Sequence, residues 1–109
     1  MVMRVVTLKE PKLGAVVKSL RGRDAGQYAV IVAIDDSRTV WIADGNKRKF
    51  DSPKKKNVLH LEIFDYVSPE VAGSIQETGR VTNGKIRFAL QKFMERMKTE
   101  EDGKESAND

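Results

Sequence analysis

The chain has 109 residues, a formal net charge of +4 and no cysteine. That length sets one domain with a modest core as the default. The lack of cysteine excludes disulfides and cysteine-ligated zinc or iron–sulfur centres, and is compatible with a reducing cytoplasm. No apolar run approaches the roughly 20 residues a bilayer-spanning helix needs, and no repeat stands out at solenoid or propeller periods. The opening MVMRVVTLKEP has neither a long hydrophobic region nor a small-residue cleavage pattern, so no secretory signal and no membrane partner is expected. Charge is segregated along the chain. Residues 1–60 hold 13 Lys and Arg against 6 Asp and Glu, a balance of +7, whereas residues 61–109 hold 7 against 10, a balance of −3. Such asymmetry points to one half that faces nucleic acid and one that faces elsewhere.

In chain order, residues 1–12 offer at most a short strand at Val2–Val6, which Pro11 prevents from extending. Gly14–Leu20 is the first firm strand. The segment from Tyr28 to Ile34 is the second; it is apolar from Ala29 onward, as a strand buried on both faces requires. Asp35-Asp36-Ser37-Arg38 has turn chemistry, because Asp and Ser side chains bond nearby backbone groups. Thr39–Ala43 is a third strand. Asp44-Gly45-Asn46 is the strongest turn signal in the chain. A brief fourth strand is expected at Arg48–Phe50, running into a loop at Asp51–Asn57, and a fifth at Leu59–Val67.

After Val67 the pattern becomes helical. Ser68-Pro69-Glu70 combines an N-cap, a proline at the first helical position and a first-turn carboxylate, opening a short helix that ends before Gly79. Thr82 or Asn83 caps a last helix whose apolar stripe is Ile86, Ala89, Leu90, Phe93, Met94 and Met97. Residues 99–109 carry five acidic side chains and no large apolar one, the composition of a disordered tail. The expected architecture is mainly β with C-terminal α: a small β-barrel over 1–67, helices packed on it over 68–98, and an acidic tail over 99–109.

Three basic groups stand out. Lys18, Arg21 and Arg23 lie at a strand end and in the loop Arg21-Gly22-Arg23-Asp24-Ala25-Gly26-Gln27. Lys47, Arg48 and Lys49 follow the Asp44 turn. Lys54, Lys55 and Lys56 follow Pro53. Phosphate binding needs forked or mobile cationic donors near unobstructed backbone N–H groups, which Gly22 and Gly26 supply. Asp24 and Asp44 shape the loops. Aromatic residues are few; Trp41 and Tyr28 lie within strands, which favours recognition of structured RNA backbone over stacking on unpaired bases. Catalysis finds little support. His60 has no Cys or second His partner and is expected to be structural. Gly22–Gly26 lacks the Lys-Ser or Lys-Thr ending of a phosphate-binding P-loop. Asp35 and Asp36 are adjacent, but strand alternation points them apart, against a magnesium site. No cofactor and no metal is expected.

With these residues in view, the chain resembles KOW-domain proteins and is similar to the fourteen-e family of large-subunit ribosomal proteins and its stand-alone bacterial relatives. The resemblance runs from about Leu13 to Leu61 and rests on GAVVKSLRGRDAGQYAVIV, WIADGNKRK and PKKKNVLHL. It implies an SH3-like barrel that binds ribosomal RNA in the cytoplasm and has no enzymatic activity. Gly26 matches the glycine central to the KOW motif, Arg21, Arg23 and Gln27 match its neighbouring loop, and Lys54–Lys56 fall in the basic segment before the next strand. The acidic tail and shallow net charge depart from the strongly basic ribosomal members and keep open a dissociable factor in ribosome assembly or translation. The competing expectation is a protein-interaction module contacting ribosomal or transcription proteins, with the last helix presenting its apolar stripe to the partner.

Overall fold

The structure is a computed structural model that describes residues 10–108, with side chains described through Thr99. The strand expected within 1–12 falls on residues 1–9, outside the described residues. The tail expected to be disordered from residue 99 is instead helical backbone as far as Asn108, continuing the last helix.

Five strands, β1 (Ala15–Ser19), β2 (Tyr28–Ile34), β3 (Thr39–Ala43), β4 (Lys54–Asn57) and β5 (Leu61–Val67), precede α1 (Pro69–Thr78) and α2 (Asn83–Asn108). A single 3-10 turn, Val58–His60, joins β4 to β5. The fold class is the expected one, mainly β followed by two helices. All pairings are antiparallel in the order β4-β3-β2-β1-β5. Among the described residues β4 and β5 remain the two edges, so the expected barrel is an open sheet that hydrogen bonds do not close. The physical reason lies in β4. It has four residues, three of them lysines, and a short, charged edge resists further pairing.

Two cores sandwich the sheet. Ala15, Val17, Ala29, Ile31, Val40, Ile42, Leu61 and Ile63 form one, made of strand residues alone. Among the described residues no helix joins this cluster; Val58 and Val67 pack against it. Val16, Val30, Val32 and Phe64 on the opposite face meet Val71 of α1 and Ile86, Ala89 and Phe93 of α2. The apolar run Ala29–Val32 is thus explained: alternate residues of β2 enter alternate cores.

Both helices start where the sequence placed them. Ser68 accepts a hydrogen bond from the Val71 N–H (3.2 Å) with Pro69 at the first helical position, and Gly79 closes α1 in the left-handed conformation. Thr82 accepts from the Lys85 N–H (3.1 Å) at the start of α2. That leaves Asn83 to receive the Phe50 N–H (2.8 Å), tying the segment before β4 to the helix. Phe93 is fully buried. Its ring centroid lies 5.1 Å from that of Phe64, 5.3 Å from Tyr66 and 5.7 Å from Tyr28. Met94, although counted in the expected stripe, is 46% exposed; it sits one residue past Phe93, about 100° around the helix.

Gly45 fixes the approach of α2 to the sheet. At φ +79° it holds a backbone few other residues adopt, and a Cβ there would lie 2.5 Å from the Asn83 carbonyl oxygen. The Gly45 carbonyl accepts a 2.6 Å hydrogen bond from Arg87 of α2.

Truncating Phe93 to Ala is expected to cost about 3–5 kcal/mol of unfolding free energy, whereas Met94→Ala stays within about 0.5 kcal/mol. Urea denaturation of the two variants checks the docking of α2; equal costs would contradict it.

Candidate nucleic-acid interface

The fourth strand is not where the sequence pattern put it. Residues 48–53 form turns, with the Ser52 N–H donating to the Lys49 carbonyl (3.0 Å), and the lysine run itself is β4. Lysine is a poor strand former, which hid the strand. The consequence for the site is large, because successive strand residues point to opposite faces. The three lysines do not act as one patch.

Lys56 pairs in register with the core residue Val40 and points inward. Its side chain is only 9% exposed. The ammonium donates to the Asp24 carboxylate (3.3 Å) and to the Arg21 carbonyl (3.3 Å), reaching from the edge strand to the β1–β2 loop. Lys54, two residues away on the same side, lies 3.6 Å from the other Asp24 oxygen. Lys55 faces the opposite way, 3.6 Å from Asp35 and 5.7 Å from the half-buried Trp41 ring. Its side chain is 55% exposed.

The β1–β2 loop is built to receive Lys56. Ser19 and Gln27 bracket it with a 2.9 Å bond from the Ser19 N–H to the Gln27 carbonyl, and the Gly26 N–H donates to the Ser19 carbonyl (2.7 Å). Gly22, at φ +91°, turns the chain beside the ion pair; a Cβ there would sit 3.5 Å from Asp24 Oδ1 and 3.8 Å from Lys56 Nζ. Gly26 is also left-handed (φ +88°) and faces open space. The Asp44 carboxylate organises the second loop, accepting 2.8 Å hydrogen bonds from the Asn46 and Arg48 N–H groups.

Together these loops and the start of β4 enclose a cleft of about 300 Å³. Arg23 and Gln27 from the first loop, Lys47 and Arg48 from the second, and Lys54 from β4 line it. Its other walls are Ser19, Asp24, Tyr28, Ala29, Ile42 and Asp44. Three basic groups distant in sequence therefore contribute to one concavity. Lys18 lies just outside it, with its ammonium 5.8 Å from the Tyr28 ring centroid. Arg21, Lys49 and Lys55 are exposed but do not line the cleft, and Lys56 supports it from behind. The sequence pattern singled out the cations but not Tyr28, Ala29 and Ile42 as walls. The alternation of Lys54–Asn57 was the available signal for dividing the lysines.

His60, expected to be structural, is exposed in the 3-10 turn. Asp36 is occupied by the Arg38 and Thr39 N–H groups, each at 2.8 Å. No group of three or more metal-ligating side chains occurs among the described residues, and none of their helices is long and apolar enough to cross a membrane.

No family model matches the chain. Over 54 residues it is 59% identical to the "Putative ribosome-binding protein YbzG" of Bacillus subtilis (strain 168), a match covering 50% of this chain and 73% of that relative. The chain belongs to the same family as that protein.

Partial burial works against the Asp24 charge, but the Lys56 hydrogen bond, a backbone hydrogen bond and the nearby Lys56 and Lys54 charges outweigh it, so its pKa lies below the ordinary 3.8. A depressed carboxyl pKa contributes stability that is present above the ordinary value and lost as pH falls through the folded one. The stability advantage of the native chain over Asp24→Asn is therefore expected to hold at neutral pH and shrink below pH 3.8. Thermal unfolding of both proteins across that window checks it; a gap that does not change with acid would contradict the clamp.

Proposed function

We propose that this protein is a non-enzymatic, ribosome-associated binder of ribosomal RNA. In this reading it is a KOW-type, SH3-like module acting in the cytoplasm in ribosome assembly or translation. The observation that carries the reading is the convergence of Arg23, Lys47, Arg48 and Lys54 on one cleft from three separate segments. Among the described residues the Arg23 and Lys47 side chains make no hydrogen bond or ion pair, so their charge is available to a polyanion. Arginine offers a fork for bidentate phosphate contact, and lysine a mobile point charge. The family relationship supports the ribosome as partner, since the relative's name describes ribosome binding.

A second reading, contact with a protein of the translation or transcription machinery, draws on a different feature. Leu59 is 78% exposed and Leu20, whose N–H donates to the His60 carbonyl (2.9 Å), is 48% exposed. Two such leucines beside Arg21 make a small apolar spot outside the basic cleft. The two readings differ in salt response, because apolar contacts are not screened and phosphate contacts are.

Four cleft cations on four phosphates give a salt slope of about −3 to −4, so ribosome affinity is expected to fall roughly a hundredfold from 50 to 200 mM salt. The double variant Arg23→Glu, Lys47→Glu is expected to lose more than about tenfold at fixed salt. Co-sedimentation with purified ribosomes measures both. Salt-independent binding that the double variant retains would overturn the RNA reading, and its loss on Leu20→Ser, Leu59→Ser would favour the protein one.

A further inference from the structure

Among the described residues three polar side chains are buried: Ser19, Lys56 and Ser68. Lys56 and Ser68 have hydrogen-bond partners. The Ser19 hydroxyl has none among the described residues, although Ser19 is only 2% exposed. Its backbone is fully occupied, since the N–H donates to the Gln27 carbonyl (2.9 Å) and the carbonyl accepts from the Gly26 N–H (2.7 Å). Buried hydroxyls are nearly always partnered, and no fully enclosed side-chain oxygen or nitrogen of the described residues lacks a partner. The Ser19 oxygen is therefore open on one side, the side on which the residue lines the basic cleft. It offers one donor and two acceptor sites to what enters.

A carboxylate makes the second, independent point. Ser19 follows Val17 by two residues and Asp44 follows Ile42 by two. Val17 and Ile42 belong to the strand-only core, so alternation turns Ser19 and Asp44 to the same face of the sheet. β2 separates their strands, and its Ala29 lies between them on that face. Asp44 accepts both of its backbone bonds on Oδ1, and among the described residues its Oδ2 has no partner. A phosphate is repelled by that oxygen and has no hydrogen to give it. A sugar hydroxyl has both a hydrogen to give and lone pairs to accept with, so it suits the carboxylate and the serine together. The phosphates beside such a sugar have Arg23 and Lys47, whose charges no described residue engages.

We propose that the cleft reads the ribose of an RNA, with neighbouring phosphates on Arg23 and Lys47 and a 2′-hydroxyl turned inward to Ser19 Oγ and Asp44 Oδ2. This inference rests on the RNA-binding reading and deepens it, because it makes Ser19 and Asp44 the residues that tell RNA from DNA. A deoxyribose in the same place leaves both groups covered and without a partner, which weakens binding. An RNA stem displays its 2′-hydroxyls along a wide, shallow minor groove. The sugar–phosphate edge of that groove can meet a cleft of about 300 Å³ without any base leaving its stack.

One RNA stem-loop made in two forms, unmodified and with 2′-fluorine on every sugar, tests it against the full-length chain by fluorescence anisotropy at low salt. Fluorine keeps the sugar pucker of an RNA helix and the phosphate charge, but it donates no hydrogen bond. The native chain is expected to bind the unmodified form about tenfold tighter. In Ser19→Ala, and separately in Asp44→Asn, whose Oδ1 still serves the turn, that preference is expected to fall below about threefold through weaker binding of the unmodified form. The ratio is read within each variant, so a general loss of affinity does not imitate the effect. Equal affinity of the native chain for the two forms would overturn the proposal and leave the RNA reading standing. A tenfold preference retained by both variants would overturn it in the same way. Loss of binding to both stem-loops and to ribosomes at low salt would instead remove the RNA reading itself.

Discussion

One long side chain holds the basic face together. Lys56 leaves the edge strand β4, lays its aliphatic stem beneath the curled sheet, and delivers its ammonium to the Asp24 carboxylate and the Arg21 carbonyl. Lysine suits this place because its stem is apolar and its head is not. The open side of the sheet, which backbone pairing leaves unclosed, is thereby bridged by a side chain. A charge brought this far from water requires partners, and the loop with its two left-handed glycines supplies them in a fixed geometry. Arg23, on the same loop, and Lys54, on the same strand, inherit that geometry.

The rest of the architecture keeps the cleft's walls from moving. β2 is packed on both faces, with Ala29 and Ile31 in the sheet's own core and Val30 and Val32 against the helices. α2 anchors the Asp44 turn through Arg87 and the segment before β4 through Asn83. The helices thus contribute to the site without lining it. A cationic surface on mobile loops would bind any polyanion weakly; cations on a scaffold fixed from both sides impose a shape on what they bind. That is the structural difference between a charged tail and a recognition site.

Much of this was legible in the sequence. Ser68-Pro69, Gly79 and Thr82 marked both helix starts and the end of the first helix through local chemistry alone. The continuous apolar run in β2 announced a strand with two buried faces. The Asp44-Gly45-Asn46 turn was equally plain. What could not be seen was set by contacts far apart in the chain. Lys54–Asn57 reads as a charged loop, and it is a strand because β3 pairs with it and because the Lys56 head finds Asp24, 32 residues earlier. Only that pairing splits the lysine run between two faces. Met94 fell outside the buried stripe for a related reason: periodicity gives the apolar side of a helix, but the curvature of the sheet beneath decides how wide a stripe is covered.

The cationic groups accordingly fall into different roles from those their sequence neighbours suggest. Arg23, Lys47, Arg48 and Lys54 face a common concavity, Lys56 supports it, and Lys55 looks elsewhere. Ultraviolet crosslinking of the ribosome-bound protein, followed by mass spectrometry of the nucleotide-bearing peptides, tests this division most directly. The account predicts adducts within residues 21–28 and 44–54. Adducts confined to α2, or a ribosome-bound protein that carries none, would contradict it.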